Sequence, residues 1–272
     1  MGIDLTDKPI VITGASSGIG AATAIACARA GMPVALLARR ANKLERVAEI
    51  IRTQGGKAIT LAGSVDSPDD CERLLDLAEA GFGPVYAAFA NAGYGVETET
   101  WCQPEDEIRA MFETNFYGSL NLLRPALKRF VERGEGHALL CSSCLSKLAV
   151  PYYGCYSATK AAQDHFARAM RHELAPRGVA VSSVHPVGTA TEFFETAAKN
   201  SDRSRLLPRG GRLQPPSKVA DAIVRQLRRG RGGEIWTSPA RYLFGIANVF
   251  PGLADRGIRR AFRKRLDRDQ AG

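Results

Sequence analysis

The chain has 272 residues, of which 45% are hydrophobic and 24% charged, with a net charge of +9. This composition excludes a disordered chain, and the length is enough for a large core without disulfide or metal staples. The excess charge is local, because residues 225–272 hold 12 Lys and Arg against 4 Asp and Glu, a balance of +8. The remainder is close to neutral and lacks the broad basic surface of a nucleic-acid-binding protein, so we expect no nucleic acid among its partners.

Short apolar runs alternate with helical patterns along the chain. Strands are predicted at residues 9–13, 33–38, 57–62, 85–90, 137–143, 179–185 and 233–237. Helices are predicted at residues 18–30, 41–54, 68–80, 104–132, 155–175 and 217–229. Several of the strand runs are apolar throughout, which is typical of strands buried on both faces. The alternation therefore predicts an α/β fold with one doubly wound parallel sheet of about seven strands and helices on both faces.

The cysteines and histidines indicate neither disulfides nor a metal site. The first residues lack the basic and long apolar regions of a signal peptide, so we expect a cytoplasmic protein with reduced thiols. Cys141 and Cys144 form a CxxC pair, but no second pair has zinc spacing, so small residues at the end of a buried strand are the better interpretation. The histidines also lack ligand spacing, and only His185 falls near the candidate site described below.

The stretch TGASSGIG, residues 13–20, follows the first predicted strand and opens the first predicted helix. Its glycines let the backbone turn sharply and let a pyrophosphate approach main-chain N–H groups, and the helix N-terminus favours the anion. The residues predicted to bind a dinucleotide here are Gly14, Ser16, Ser17, Gly18, Ile19 and Gly20. The alternative is a merely tight turn, but the order strand, loop, helix favours the binding site.

The second predicted strand ends in Ala38, where NAD-binding proteins of this kind usually place an acidic residue on the ribose 2′-hydroxyl. Arg39 and Arg40 follow instead. A guanidinium suits a 2′-phosphate, so NADP is the predicted cofactor. The alternative is a solvated pair of surface arginines.

Tyr156 and Lys160 lie four positions apart in a predicted helix and therefore share one face. A phenol with a pKa of about 10 is a poor base near neutral pH, and a nearby cation favours the phenolate. We expect Lys160 and the positive ring of the cofactor to lower the pKa of Tyr156, so that its phenol exchanges a proton with a carbonyl or alcohol oxygen. In an arbitrary helix the same spacing would more often reflect core packing.

Further polar residues follow the predicted strands. Ser143 ends the fifth strand, the NAG stretch of residues 91–93 ends the fourth, and Asn115 lies in the helix after it. In order and spacing, TGASSGIG, NAG, Asn115, Ser143 and YSATK resemble the short-chain dehydrogenase/reductase family over about residues 8–237. The resemblance implies a seven-stranded Rossmann domain that holds cofactor and substrate together.

The resemblance also implies roles for individual residues. Tyr156 is expected to act as the acid/base and Ser143 to bond the substrate oxygen. Lys160 is expected to tune Tyr156 and to hold the nicotinamide ribose, and Asn115 to support a proton-relay water. Further cofactor contacts are expected from Ser64, Val65, Asn91, Ala92, Gly93, Pro186, Thr189 and Thr191. The expected substrate pocket consists of Tyr94, Leu145, Tyr153 and Phe193.

Three departures from the family pattern leave the substrate open. Val187 follows Pro186 where the family usually has glycine, and Ser64 stands where an acidic residue usually lies near the adenine. Ser146 and Lys147 replace the Ala-Gly pair that often follows the catalytic serine.

No interior linker is evident, so residues 1–240 are predicted as one NADP-binding catalytic domain and residues 241–272 as an extension of it. Residues 188–214 interrupt the alternation, and an insertion of this length often forms a lid. Phe193 and Phe194 within it indicate an apolar substrate.

Residues 241–269 join an apolar stretch to a basic one, and Pro251 and Gly252 make the apolar stretch too short to span a bilayer. Ile258, Phe262 and Leu266 lie at helical spacing among arginines, a pattern typical of a helix on an anionic membrane. The alternative is an element that packs on the domain or on a neighbouring subunit, and the family resemblance implies a homodimer or homotetramer.

The sequence as a whole predicts an NADP(H)-dependent oxidoreductase that interconverts a ketone or aldehyde and an alcohol, on an apolar substrate. The alternative is a non-catalytic NADP-binding sensor or scaffold protein on the same fold.

Overall fold

The computed structural model describes residues 2–193 and 213–270. Its sheet has seven parallel strands in the order β3-β2-β1-β4-β5-β6-β7. The strands are β1 (Ile10–Thr13), β2 (Val34–Ala38), β3 (Ala58–Ala62), β4 (Ala87–Ala90), β5 (Gly136–Cys141), β6 (Val179–His185) and β7 (Gly233–Trp236). The predicted fold class, a doubly wound parallel sheet, is confirmed.

Helices connect the strands and follow the last one. Within the described residues they are α1 (Gly18–Arg29), α2 (Ala41–Thr53), α3 (Pro68–Phe82), α4 (Glu105–Phe112), α5 (Gly118–Arg133), α6 (Gly154–Leu174), α7 (Pro216–Arg229), α8 (Arg241–Val249) and α9 (Pro251–Gln270). The predicted elements match these bounds to within a few residues, except at the helix predicted for residues 104–132. That segment is α4 and α5 joined by a π-helical turn, Glu113–Tyr117.

Both faces of the sheet are buried. Successive strand residues point to opposite faces, so Ile10 and Ile12 of β1 belong to one apolar cluster and Val11 to the other. The first cluster includes side chains of α1, α2 and α7, and the second includes side chains of α3, α5 and α6. This explains why the strand sequences are apolar without alternation.

The strand order fixes where a ligand can bind. From β1 the chain moves outward to β2 and β3, and then returns to β4 on the other side of β1. The loops after β1 and β4 therefore diverge and leave a crevice at the carboxyl ends of the strands, which is where open α/β sheets bind their ligands.

The C-terminal residues form two helices beyond the sheet. The Phe244 ring of α8 stacks on Trp236 of β7 at 5.7 Å, and Phe262 of α9 contacts the Tyr152 ring at 5.6 Å. None of the helices in the described part of the chain is long and apolar enough to cross a membrane.

His137 gives the fold a defined sensitivity to acid. The side chain is fully buried in β5, with Nε2 2.8 Å from the Ser182 hydroxyl of β6, and burial lowers its pKa to about 4. In the unfolded chain the pKa returns to 6.5, so the unfolded state takes up a proton first as the pH falls. The stability that His137 contributes is full above pH 6.5 and is lost between pH 6.5 and about 4, by up to about 3 kcal/mol.

We therefore expect His137→Gln to lose less stability than the wild type between pH 7.5 and pH 5, measured by urea unfolding at both values. His165→Gln, which changes an exposed histidine of α6, is the control and should follow the wild type. An unaltered pH dependence in His137→Gln would contradict the assignment.

Candidate active site

The loop after β1 and the first turn of α1 have no room for a side chain at two glycines. A Cβ on Gly14, whose φ is +64°, would lie 2.8 Å from Ala92 Cα, and a Cβ on Gly20 would lie 2.4 Å from the Gly14 carbonyl oxygen. Asn91 fastens the loop after β4 to it, because its Nδ2 donates to the carbonyl oxygens of Thr13 at 3.0 Å and Gly14 at 3.3 Å. The loop thus exposes main chain beside the N-terminus of α1, the arrangement that receives a phosphate.

The two arginines after β2 have different surroundings. Arg40 donates to the hydroxyls of Ser16 at 3.1 Å and Ser17 at 2.7 Å, and it forms an ion pair with Glu192 at 2.6 Å. Arg40 and Lys43 together hold the pKa of Glu192 low, at about 2. Arg39 is exposed at the cleft and has no hydrogen bond or ion pair within the described residues. Arg39 is therefore the arginine available for a ligand.

Lys160 lies deep in the crevice. Its ammonium is nearly fully buried and donates to the Cys141 carbonyl oxygen at 2.7 Å and to Gln163 Oε1 at 2.9 Å. Burial lowers its pKa to about 8. The ammonium lies 5.6 Å from the centroid of the Tyr156 ring, so the helical spacing does bring the two residues to one face.

Tyr156 is also buried in the crevice, near Lys160 and beside Ser143. Burial raises the pKa of the phenol, although a hydrogen bond with Ser143 acts in the opposite direction. Burial thus opposes the effect that we expect from Lys160 and the positive ring of the cofactor together, and that lowering of the Tyr156 pKa stays a prediction. Ser143 Oγ accepts from the Leu145 N–H at 3.1 Å, and its own proton is available to an acceptor in the cleft, such as the Tyr156 oxygen.

Asn115 is fully buried in the π-helical turn. Its side chain accepts from the Tyr94 N–H at 2.9 Å, and donates to the Tyr94 carbonyl oxygen at 2.9 Å and to Thr159 Oγ1 at 3.0 Å. Asn115 thus ties the loop after β4 to α6.

A cluster of charged side chains lies behind Ser143. The Lys147 ammonium contacts the carboxylates of Asp164 at 2.6 Å and Glu234 at 2.8 Å, and His185 Nε2 lies 3.3 Å from Asp164 Oδ1. Burial acts to raise the pKa of Asp164, but His185 and Lys147 outweigh it and the pKa is lowered. His185 Nδ1 lies 3.2 Å from the Ser143 carbonyl oxygen, so this cluster abuts the main chain of the serine.

The His185 ring also connects Ser143 to the C-terminal helices, through a stack of aromatic rings. It stacks on Trp236 with 4.7 Å between centroids and 9° between planes, and Trp236 in turn stacks on Phe244. His185, which the sequence left open, is therefore a structural link between Ser143 and α8.

Most of the predicted site residues line one cleft of about 1630 Å³. They are Gly14, Ser16, Ser17, Gly18, Ile19, Arg39, Arg40, Ser64, Val65, Asn91, Ala92, Gly93, Tyr94, Ser143, Leu145, Tyr153, Tyr156, Lys160, Pro186, Thr189, Thr191 and Phe193. Gly20 and Asn115 are not among the lining residues, because the first packs against Gly14 and the second is enclosed beneath the cleft.

The substrate end of the cleft is aromatic. The Phe193 ring lies 5.1 Å from the Tyr156 ring and would touch a Cβ on Gly95, while Tyr153 donates to the Glu97 carboxylate at 3.2 Å. Glu97 is a buried acidic residue of this pocket that the sequence did not indicate, since it lies in an irregular loop outside any motif. Phe194 and most of the predicted lid, residues 194–212, lie outside the described residues.

Comparison with known proteins identifies the family. A family model described as short chain dehydrogenase matches residues 8–202. An uncharacterised oxidoreductase of Listeria innocua is 36% identical over 194 residues, 71% of this chain and 78% of that protein. The 11-beta-hydroxysteroid dehydrogenase-like 2 of Arabidopsis thaliana is 31% identical over 255 residues, 93% of this chain and 80% of that protein.

A solved structure shows the same fold. The short chain dehydrogenase/reductase of Burkholderia phymatum, in complex with NAD, has a TM-score of 0.82 at 24% identity and covers 93% of this chain and 96% of its own. The chain belongs to the short-chain dehydrogenase/reductase family of oxidoreductases.

Proposed function

We propose that the protein is an NADP(H)-dependent oxidoreductase that interconverts a ketone or aldehyde and an alcohol. The observation that carries this proposal is the meeting of Ser143, Tyr156 and Lys160 at the carboxyl end of β5, beside a glycine loop that leaves main chain exposed. These three residues provide a proton donor, a hydrogen-bond donor and a buried cation around one point of the cleft.

The residues present fit a nicotinamide cofactor. The glycine loop and the N-terminus of α1 would hold the pyrophosphate. Arg39 would form an ion pair with a 2′-phosphate, and Lys160 would hold the nicotinamide ribose. When bound, the cofactor supplies or accepts the hydride.

Tyr156 performs the proton transfer in this proposal. Because burial raises the pKa of its phenol, Tyr156 is protonated at neutral pH and can donate to the oxygen of a substrate carbonyl. Ser143, whose Oγ accepts from the Leu145 N–H, donates its hydroxyl proton in a hydrogen bond to the same oxygen. The nearby ammonium of Lys160 stabilises the phenolate that proton donation leaves behind.

The substrate is proposed to be largely apolar. Tyr94, Leu145 and Phe193 line the pocket next to Tyr156, and one relative is named as a hydroxysteroid dehydrogenase-like protein. The Glu97–Tyr153 pair adds one polar position to this surface. A carbonyl compound with a broad apolar body fits these walls.

Tyr156→Phe removes the proton donor and keeps the ring, so we expect turnover to fall by about 10²–10⁴-fold while the protein stays folded. The measurement is oxidation of NADPH with a panel of steroid-like, retinoid-like, long-chain and small ketones and aldehydes. Tyr86→Phe, at a buried tyrosine directly before β4, is the matched control and should retain activity. Wild-type turnover in Tyr156→Phe would disprove the role of Tyr156.

A wild-type protein that binds NADPH but turns over no compound of the panel would support the alternative, a sensor or scaffold protein.

Arg39→Asp should weaken NADPH binding and improve NADH binding, because a carboxylate repels the 2′-phosphate and accepts from the 2′-hydroxyl. Removal of one such charge pair changes affinity by about 10-fold or more. Isothermal titration calorimetry with both cofactors measures the change in affinity. Arg46→Asp, at an exposed position on α2, makes the same change in net charge away from the cleft and is the control. Equal affinity of the wild type for NADPH and NADH would refute the preference.

We further propose that residues 241–270 extend the domain and lie on an anionic membrane surface, with the enzyme otherwise in the cytoplasm. Their inner side packs on the domain through Phe244 and Phe262. The outer side of α8 and the start of α9 carries large apolar side chains, each more than half exposed: Tyr242, Leu243, Ile246, Val249, Phe250 and Leu253.

A basic stripe continues this apolar surface along α9. Arg256, Arg259, Arg260, Arg263 and Lys264 line a shallow groove at helical spacing. Leu253 lies one turn before Arg256 on the same face, and half-buried Ile258 and Phe262 face the opposite way. Apolar side chains beside outward arginines suit the boundary between acyl chains and anionic headgroups.

The double variant Ile246→Asp, Val249→Asp should reduce sedimentation with anionic vesicles at low salt by about 10-fold or more. Two apolar side chains that the membrane would bury are replaced by negative charges, which anionic lipid repels. Leu77→Asp, a half-exposed leucine of α3, is the control. The wild type should bind vesicles of phosphatidylglycerol with phosphatidylcholine and release them in high salt.

Failure of the wild type to bind such vesicles at low salt overturns the membrane proposal. Light scattering on the same samples tests the homodimer or homotetramer that family membership suggests. An assembly that dissociates in the double aspartate variant would assign this surface to a second copy of the chain.

A further inference from the structure

Gln163 stands between Lys160 and the π-helical turn. It lies in α6 one turn after Lys160 and is fully buried. Its Oε1 accepts from the Lys160 ammonium at 2.9 Å, while its Nε2 donates to the Asn115 carbonyl oxygen at 2.7 Å and to Ser119 Oγ at 2.7 Å. One carboxamide therefore connects a buried cation to the segment that carries Asn115.

The chemistry of the partners determines which way this carboxamide points. An ammonium has only donors, so it requires the oxygen of Gln163, and a carbonyl oxygen has only acceptors, so it requires the nitrogen. Rotation of the amide by 180° would place donors against Lys160 and an acceptor against Asn115. The arrangement is thus locked by charge and hydrogen bonding as well as by packing.

The carbonyl oxygen of Asn115 receives two donors in this arrangement. Ser119 Oγ donates to it at 2.7 Å in addition to Gln163 Nε2. A carbonyl oxygen has two lone pairs, so both are occupied by protein groups. The side-chain nitrogen of Asn115 is likewise engaged, by the Tyr94 carbonyl oxygen and Thr159. The polar groups of Asn115 are therefore largely engaged by protein partners, and its support of a relay water stays a prediction.

We propose that Gln163 is a positioning residue of the active site, which fixes the Lys160 ammonium beneath Tyr156 and stabilises its charged form. The catalytic meaning of this role rests on the proposed function. Two hydrogens of the ammonium are directed to the Cys141 carbonyl oxygen and to Gln163, and Lys160 also lines the cleft, where a ligand can accept from the third. Together with the Cys141 carbonyl oxygen, Gln163 thereby fixes the position of the ammonium relative to a ligand and to Tyr156.

Lys160 has few titratable neighbours that would obscure a test. The Tyr156 phenol faces it from the same helix, and the Cys141 thiol faces it from β5. From the π-helical turn, Asn115 approaches without a charge, and Asp164, the next residue along α6 after Gln163, is held by Lys147. A change at Gln163 should therefore be read directly in the titration of Lys160.

The test is the titration of Lys160 in protein labelled with ¹³C-lysine, with the signal assigned by its loss in Lys160→Met. In Gln163→Leu the ammonium loses an acceptor, so its pKa should fall by about one unit. In Gln163→Glu a carboxylate replaces that acceptor, so the pKa should rise. The high-pH limb of kcat should move in the same direction in each variant, whereas a merely structural role would lower stability without moving it.

Ser182→Ala is the matched control, because it removes one hydrogen bond between buried side chains, that to His137, away from the site. It should leave the Lys160 titration unchanged. If Gln163→Leu does not fold, Ser119→Ala loosens the carboxamide without touching Lys160 and should lower the pKa by a smaller amount. An unchanged Lys160 titration in the Gln163 variants and in Ser119→Ala overturns the proposal. Because this measurement needs no substrate, its failure can be distinguished from failure of the proposed enzymatic function.

Discussion

A positive charge in a dry interior must be surrounded by acceptors, and this requirement organises the active site. The Lys160 ammonium lies at the junction of β5, α6 and the π-helical turn, where in the described part of the chain a main-chain and an amide oxygen accept from it. The end of β5 is fixed because the Cys141 carbonyl serves this charge, and the π-helical turn is fixed through Gln163. Tyr156 lies in α6 and Ser143 closely follows the end of β5, so the positions of both depend on these elements.

The fold and the chemistry-bearing residues could be predicted because their signals are local. Continuous apolar runs indicate buried parallel strands, and the glycines after β1 reflect a close approach of main chain that leaves no room for a Cβ. The four-residue spacing of Tyr156 and Lys160 places them on one face by helical geometry alone. Ser143 was predictable because a strand end in such a sheet opens into the crevice.

The remaining features depend on pairings that no local pattern encodes. Glu192 meets Arg40 across 152 positions of sequence, and Lys147 meets Glu234 across 87. The π-helical turn was predicted as ordinary helix, because the partners of its residue Asn115, Tyr94 and Gln163, are distant in sequence and no local pattern marks them. The direction of the Tyr156 pKa shift depends on depth of burial, which spacing does not reveal.

The stack of His185, Trp236 and Phe244 gives the protein a built-in optical signal. The chain has two tryptophans, and Trp101 is 86% exposed, whereas Trp236 is partly covered between two rings. Indole emission shifts to shorter wavelength in less polar surroundings, so the blue part of the fluorescence belongs to Trp236. His185 contacts the Ser143 main chain, and Phe244 of α8 lies on the other side of Trp236, so that this emission responds to changes at Ser143 and at the C-terminal helices. A fluorescent tag or dye would be unnecessary to follow either.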